Sequence, residues 1–237
     1  MKYSLTLVIL IFLAGNVCGQ NIGALEVSEN TIEPWIPKFQ LEYEGCFHFG
    51  ESESESELRL FFTDSIVVAQ IKQGYWEKNT GFWKWHFINL TNVKIDKKGN
   101  FSSNQYTGQF IIHTDGLNRY KGLKIDNPWT EWIVGENKYE IGIRLNKSPR
   151  LLSGKYVEAS LRYLKAEELE RLTQEELKIM RNEIFARYGL KFKSGGLMEK
   201  YFKQKKWYRS QHESVTEFLT DLELANIQLI KKTENDK

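Results

Sequence analysis

The sequence predicts an α+β protein, an N-terminal antiparallel β barrel or sandwich followed by a small helical domain. Three features carry that expectation: a first half of short alternating runs broken by turn residues, a change to helical spacing near Lys165, and a short apolar leader ahead of both. Each is taken in chain order.

In the leader, Lys2 supplies a positive charge and residues 5–14 are apolar except for Thr6. That stretch is too short to span a bilayer and has the size of a signal-peptide core. Val17 and Gly19 stand third and first before a cut that leaves Gln20 as the new N-terminus, so residues 1–19 are expected to be removed and 20–41 to form a linker. A lipid-anchored Cys18 is the alternative. Gly15, Asn16 and Val17 fit it poorly, because that signal wants a Leu-like residue three back and Gly or Ala adjacent. The expected location is periplasmic or extracellular in a bacterial cell envelope. No second apolar stretch is long enough for a membrane span. The 33 Lys and Arg nearly balance the 31 Asp and Glu, so charge favours neither nucleic acid nor a strongly acidic partner. After removal of the leader only Cys46 remains, no internal disulfide can form, and the fold must hold by its core.

The β domain is expected over 42–164. Turn chemistry recurs at Asn79-Thr80-Gly81, Asp96 to Asn100, Asp115-Gly116, Asn127-Pro128 and Gly135-Glu136-Asn137, the punctuation of antiparallel hairpins. Candidate strands are 43–49, 58–62, 66–76, 82–95, 105–113, 120–125, 132–134, 139–145 and 156–163. So many strands without a long helix suggest a meander closed as a barrel or folded as a sandwich. Small lipocalin-like barrels offer an architectural analogy.

The helical domain is expected over 165–233, with a tail at 234–237. Thr173 with Glu176 forms a capping box, and Leu177, Met180, Ile184 and Tyr188 then recur on one helix face. Gly189 supplies the stop, since glycine tolerates the left-handed backbone such a stop needs. Thr220 with Glu223 opens a last helix through Leu224, Ile227 and Ile230. Trp207 is expected to be the plug between the helices.

Read together, Arg181-Asn182-Glu183-Ile184-Phe185-Ala186-Arg187-Tyr188-Gly189, then Phe192, Tyr201-Phe202, Trp207-Tyr208, and Leu219-Thr220 with Glu223 and Asn226 resemble the YARHG domain over about 169–230. Phe185 stands where the family usually has Tyr, and Tyr188 where it usually has His. The resemblance implies an extracellular module with a helical tail and no established activity. The change at Tyr188 removes the one family position able to act as acid or base at neutral pH. Arg181, Asn182, Glu183 and Asn226 read as a structural polar network. Glu183 precedes Arg187 by four, an ion pair worth about 0.2–0.5 kcal/mol if exposed.

Enzyme signatures such as a nucleophile elbow, a His-Glu-x-x-His helix or a phosphate loop do not occur. The function expected is therefore a non-catalytic binding or scaffolding module of the cell envelope, with no cofactor or metal. Its partner is unknown, an envelope polymer or protein fitting the location better than nucleic acid. A secreted hydrolase using Asp115 or Glu131 is the alternative from another class. Two surfaces could bind. Lys203, Lys205, Lys206 and Arg209 surround Tyr208 with no acid among them, which suits a polyanion with Tyr208 as stacking face. Tyr75, Trp76, Phe82 and Trp83 could face a sugar ring, although Trp83, Trp85 and Phe87 on one strand face read first as core. Cys46 and His48 share a strand face, and a nucleophile pair or a zinc site with His86 and His113 lacks the usual spacing. Glu51, Glu53, Glu55 and Glu57 read as a solvated loop, with calcium as the other possibility. Asn89-Leu90-Thr91 and Asn100-Phe101-Ser102 match the glycosylation pattern, which carries nothing in a bacterial protein.

Overall fold

The computed structural model describes residues 29–64, 66–130 and 139–237. The leader with Cys18 and its cleavage positions, the expected strand 132–134, the turn 135–137 and Glu131 lie outside the described residues. Among the described residues ten strands form one sheet: β1 (Ile32–Pro34), β2 (Gly45–Phe49), β3 (Ser56–Thr63), β4 (Ile66–Trp76), β5 (Trp83–Leu90), β6 (Lys94–Ile95), β7 (Asn100–Ser102), β8 (Thr107–Asp115), β9 (Asn118–Asp126) and β10 (Tyr139–Arg144). Neighbours run β5-β4-β3-β2-β10-β9-β8-β7-β6, all antiparallel, and β1 pairs beside β7 on β8. The sheet curls into a half-barrel, so the barrel-or-sandwich alternative resolves into a single curved sheet.

Alternation along the strands decides which side chains meet. Phe47 pairs with Leu58, Leu58 with Ile71 and Ile71 with Ile88, while Leu60 pairs with Ala69 and Ala69 with Leu90. These residues line the concave side, where they join Phe49, Phe101, Phe110, Leu123 and Ile125 in one core. The rows between them, Cys46-Arg59-Gln70-Asn89 and His48-Glu57-Lys72-Phe87, face the other way. Trp83, Trp85 and Phe87 therefore lie outside the half-barrel, a correction to the expectation that they fill its interior, because Ile88 and Leu90 occupy the inner positions of β5.

Three other segments differ from expectation. Part of the supposed linker is ordered structure. Ile32–Pro34 adds a strand to β8, after which buried Trp35 and Tyr43 pack on Phe110 from one end of the curl. The run 82–95 breaks in two because Asn92 turns the chain at φ 54 between β5 and β6. The segment 156–163 is no strand. It makes a 3-10 turn at Val157–Ser160 and places Tyr156 and Ala159 in the core of the helical part.

The helices are α1 (Ala166–Leu169), α2 (Gln174–Arg187), α3 (Leu197–Lys203) and α4 (Asp221–Asn235). Both capping boxes form. Glu176 N–H donates to Thr173 Oγ1 at 3.2 Å while Thr173 N–H donates to Glu176 at 3.0 Å, and Glu223 with Thr220 repeats the pattern. Leu177, Met180, Ile184 and Tyr188 are all buried, as their spacing requires. At the stop, Leu190 N–H reaches Phe185 C=O at 3.2 Å and Gly189 N–H reaches Ala186 C=O at 3.0 Å, the paired bonds of a Schellman turn. Gly189 sits at φ 79, and a Cβ there would come within 2.7 Å of the Arg209 carbonyl oxygen. Gly189→Val is expected to destabilise the full chain by more than about 1 kcal/mol, read as a lower denaturant midpoint. An unchanged midpoint would mean that the turn tolerates a branched side chain.

The plug around α3 is Phe202, fully buried among Phe192, Tyr208 and Ala186, while Trp207 sits half-buried at the edge. The flat ring at position 202 stacks on Phe192 at 5.0 Å, which leaves Trp207 a place outside. Among the described residues no helix is long and apolar enough to cross a membrane.

Candidate functional site

The outer face of β3, β4 and β5 is the floor on which the helical part stands. Phe61 and Val68 pack on Leu222 of α4. Phe87 meets the rings of Tyr188 and Phe218 at 4.8 and 5.5 Å. Gln70, buried in the middle of β4, donates to the Phe218 carbonyl at 2.8 Å and to the Tyr188 hydroxyl at 3.1 Å, and Asn89 of β5 donates to the Leu219 carbonyl at 2.8 Å. The Tyr188 hydroxyl donates in turn to Glu223 at 2.7 Å. Burial, reinforced by the Glu223 carboxylate, raises the Tyr188 pKa well above the ordinary 10.0, so the hydroxyl keeps its proton and its donor role.

On α2 just before Tyr188, Glu183 and Arg187 hold the chain that enters the helical part. Glu183 accepts N–H bonds from Lys155 and Tyr156 at 2.8 and 2.7 Å and pairs with Arg187 at 2.5 Å. Arg187 also donates to the carbonyls of Ser153 and Tyr156 and to the Ser160 hydroxyl. The two side chains are 2% and 7% exposed, so the surface-pair magnitude expected from their spacing does not apply. The loop lies so close that a Cβ on Gly154, at φ 122, would fall 2.2 Å from Glu183 Oε1. Arg181 is not in this cluster. It pairs with Glu234 near the end of α4 at 3.0 and 3.2 Å, while Asn182 bonds to Lys178 on its own helix. Asn226 makes a third, separate tie, from α4 to Ala159, Arg162 and Leu164.

Between floor and helices lies a cavity of about 430 Å³. Cys46, Glu57, Arg59, Gln70, Lys72, Trp85 and Phe87 line it from the sheet. Lys147 to Pro149, Leu151 and Leu152 line it from the loop after β10, and the consecutive residues Ala186, Arg187, Tyr188 and Gly189 do so from α2 and its stop, with Trp207, Arg209 and Gln211 beyond. Lys72 rests its ammonium 3.8 Å from the centre of the Trp85 ring. Cys46 faces this cavity with its thiol pushed up to about 11 by burial and by Glu57, so it is a neutral thiol at pH 7 and a poor nucleophile.

The other anticipated residues fall elsewhere. Lys203 pairs with Glu199, Lys205 lies over the Tyr201 ring, Lys206 is exposed, and Arg209 alone of that group lines the cavity. Tyr208 offers no stacking face: it is buried against Phe202, and its hydroxyl donates to Leu190 C=O at 2.6 Å. Tyr75, Trp76 and Phe82 expose 39%, 53% and 69% of their surface at the β4–β5 tip, with Trp83 edge-on to Trp76 at 5.2 Å. The acidic run does not gather. Glu51 and Glu53 sit around a 3-10 turn, and Glu57 pairs with Lys147 on the outer face. Among the described residues no three His, Cys, Asp or Glu side chains come together as metal ligands. Asp115 stands exposed at the β8–β9 turn, and Asn89 of the glycosylation pattern is tied into the junction.

The second half of this arrangement has a family. Residues 154–235 match the YARHG domain, so the chain carries that domain behind its half-barrel, and the match begins at the glycine facing Glu183. No family matches the N-terminal part. Neither a curated protein nor a solved structure matches the chain. Sequence reasoning missed Gln70, Asn89 and Arg59. A buried amide between Ala69 and Ile71 was the available signal that the outer face of β4 has a partner.

Proposed function

We propose that the chain is a non-catalytic exported protein of the bacterial cell envelope that binds a small ligand in the junction cavity, with the YARHG motif fastening the two walls together. The cavity itself carries this reading, because a half-barrel wall and four consecutive motif residues enclose one hollow of ligand size. Export is supported by the leader and by the family's occurrence in extracellular proteins. A hydrolase of the β domain would need free carboxylates in a cleft. The buried Glu140 instead takes Gly50 N–H at 2.6 Å and the Thr130 hydroxyl, and Asp115 stands exposed at the end of β8.

Native mass spectrometry of the purified chain after exposure to an envelope extract tests the reading. A small molecule should be retained by the natural chain and lost from Leu151→Trp, which places a larger ring at the exposed rim. Retention by both forms would move the site away from the cavity, and retention by neither would contradict the proposal. The same spectrum gives the N-terminus of the exported form: Gln20 is expected, and a diacylated Cys18 would overturn soluble export. The exposed rings of Tyr75, Trp76 and Phe82 support a second contact, stacking on a sugar ring, and Trp76→Ala should then weaken oligosaccharide retention without touching the cavity.

A further inference from the structure

The charge in the cavity wall is uneven. Five cations, Arg59, Lys72, Lys147, Arg187 and Arg209, line it with one carboxylate, Glu57. Lys147 is neutralised by Glu57 and Arg187 by Glu183. Arg59, Lys72 and Arg209 have no carboxylate within ion-pair distance among the described residues. Arg59 is the least satisfied of them. Its Nε and Nη2 are buried and have no hydrogen-bond partner among the described residues, and its guanidinium lies over the Phe61 ring at 5.1 Å. Burial lowers the Arg187 pKa and the charge of Arg59 adds to that, so two guanidinium groups face the cavity, one from the sheet and one from α2.

An arginine with buried, unpaired donors beside another cation is a cost that folding alone does not explain. A guanidinium is suited to the paired oxygens of a carboxylate or phosphate. Aromatic rings stand beside these cations, with Trp85 carrying Lys72 on one side and Trp207 beyond Arg209. We infer that the cavity takes a small organic oxyanion, a carboxylate or phosphate carried on a ring, with the anionic group drawn to Arg59 and the ring against Trp85 and Trp207. This rests on the junction cavity being the ligand site.

The test is titration of the full chain with glucuronate, glucose 6-phosphate, glucose and inorganic phosphate, followed by calorimetry and tryptophan fluorescence. At least one ring anion should bind saturably, with glucose and free phosphate each tenfold or more weaker, and the stronger of the two anions identifies the source of the oxygens. Arg59→Met should weaken that binding tenfold or more. Without ligand the variant should melt no lower than the natural chain, because it removes donors that the fold leaves unpaired. Glucose binding as well as the anions would overturn the oxyanion while the cavity reading stands. Absence of binding by both anions would overturn the oxyanion too, and the Leu151→Trp comparison then judges the cavity by itself. A clear drop in the ligand-free melting temperature of Arg59→Met would make the residue structural and refute the inference.

Discussion

Replacing Glu183 by alanine is expected to lower the stability of the protein by about 3 to 5 kcal/mol, because it leaves Arg187 buried without its carboxylate. Two backbone N–H groups, of Lys155 and Tyr156, lose their acceptor in the same step. Glu183→Gln keeps the shape and some acceptor capacity and should lose less. Urea unfolding followed by circular dichroism measures both. A loss below about 1 kcal/mol for the alanine variant would place this pair with exposed ion pairs and contradict its burial.

Gly154→Ala should do comparable damage from the other side of the same contact. Its φ of 122 is strained for any side chain, and the new methyl group would overlap the Glu183 carboxylate. About 2 to 4 kcal/mol is expected from strain and the displaced clamp together. The two changes should not add. In the Glu183→Ala background the obstacle is gone and only the backbone term remains, so the double variant should be more stable than the sum predicts by more than about 1 kcal/mol. Strict additivity would show that Gly154 is needed for its backbone alone.

The helical half was largely legible from sequence because its determinants are local. Thr173 with Glu176, Thr220 with Glu223, and Gly189 after a three-and-four apolar face each act within a few residues, and each forms as expected. The sheet was legible in its hairpins and not in its sidedness. Alternation marks two faces on β5 but does not say which is the inside, and both Phe87 and Ile88 are apolar because both faces are covered, one by the half-barrel core and one by Tyr188 and Phe218. The segment around Tyr156 read as a strand because its pattern is aromatic and alternating. Its conformation is set by distant groups, Glu183 and Arg187, that no local rule registers. The cavity was invisible for the same reason: Arg59 and Arg187 are far apart in sequence and line it from opposite sides of the junction. The basic cluster at 203–209 was visible only as composition, and packing divides it by turning Tyr208 inward and leaving Arg209 at the cavity.

The half-barrel and the YARHG domain form one body, joined through Tyr188, Gln70 and Asn89, with the Glu183–Arg187 clamp holding the chain that enters the helical part. Scanning calorimetry of the purified protein, natural and Glu183→Ala, is the decisive measurement. A single transition is expected in both, with calorimetric and van't Hoff enthalpies equal, and the whole peak displaced to lower temperature by the substitution. Two transitions in the natural chain, of which the substitution moves only one, would contradict the single body.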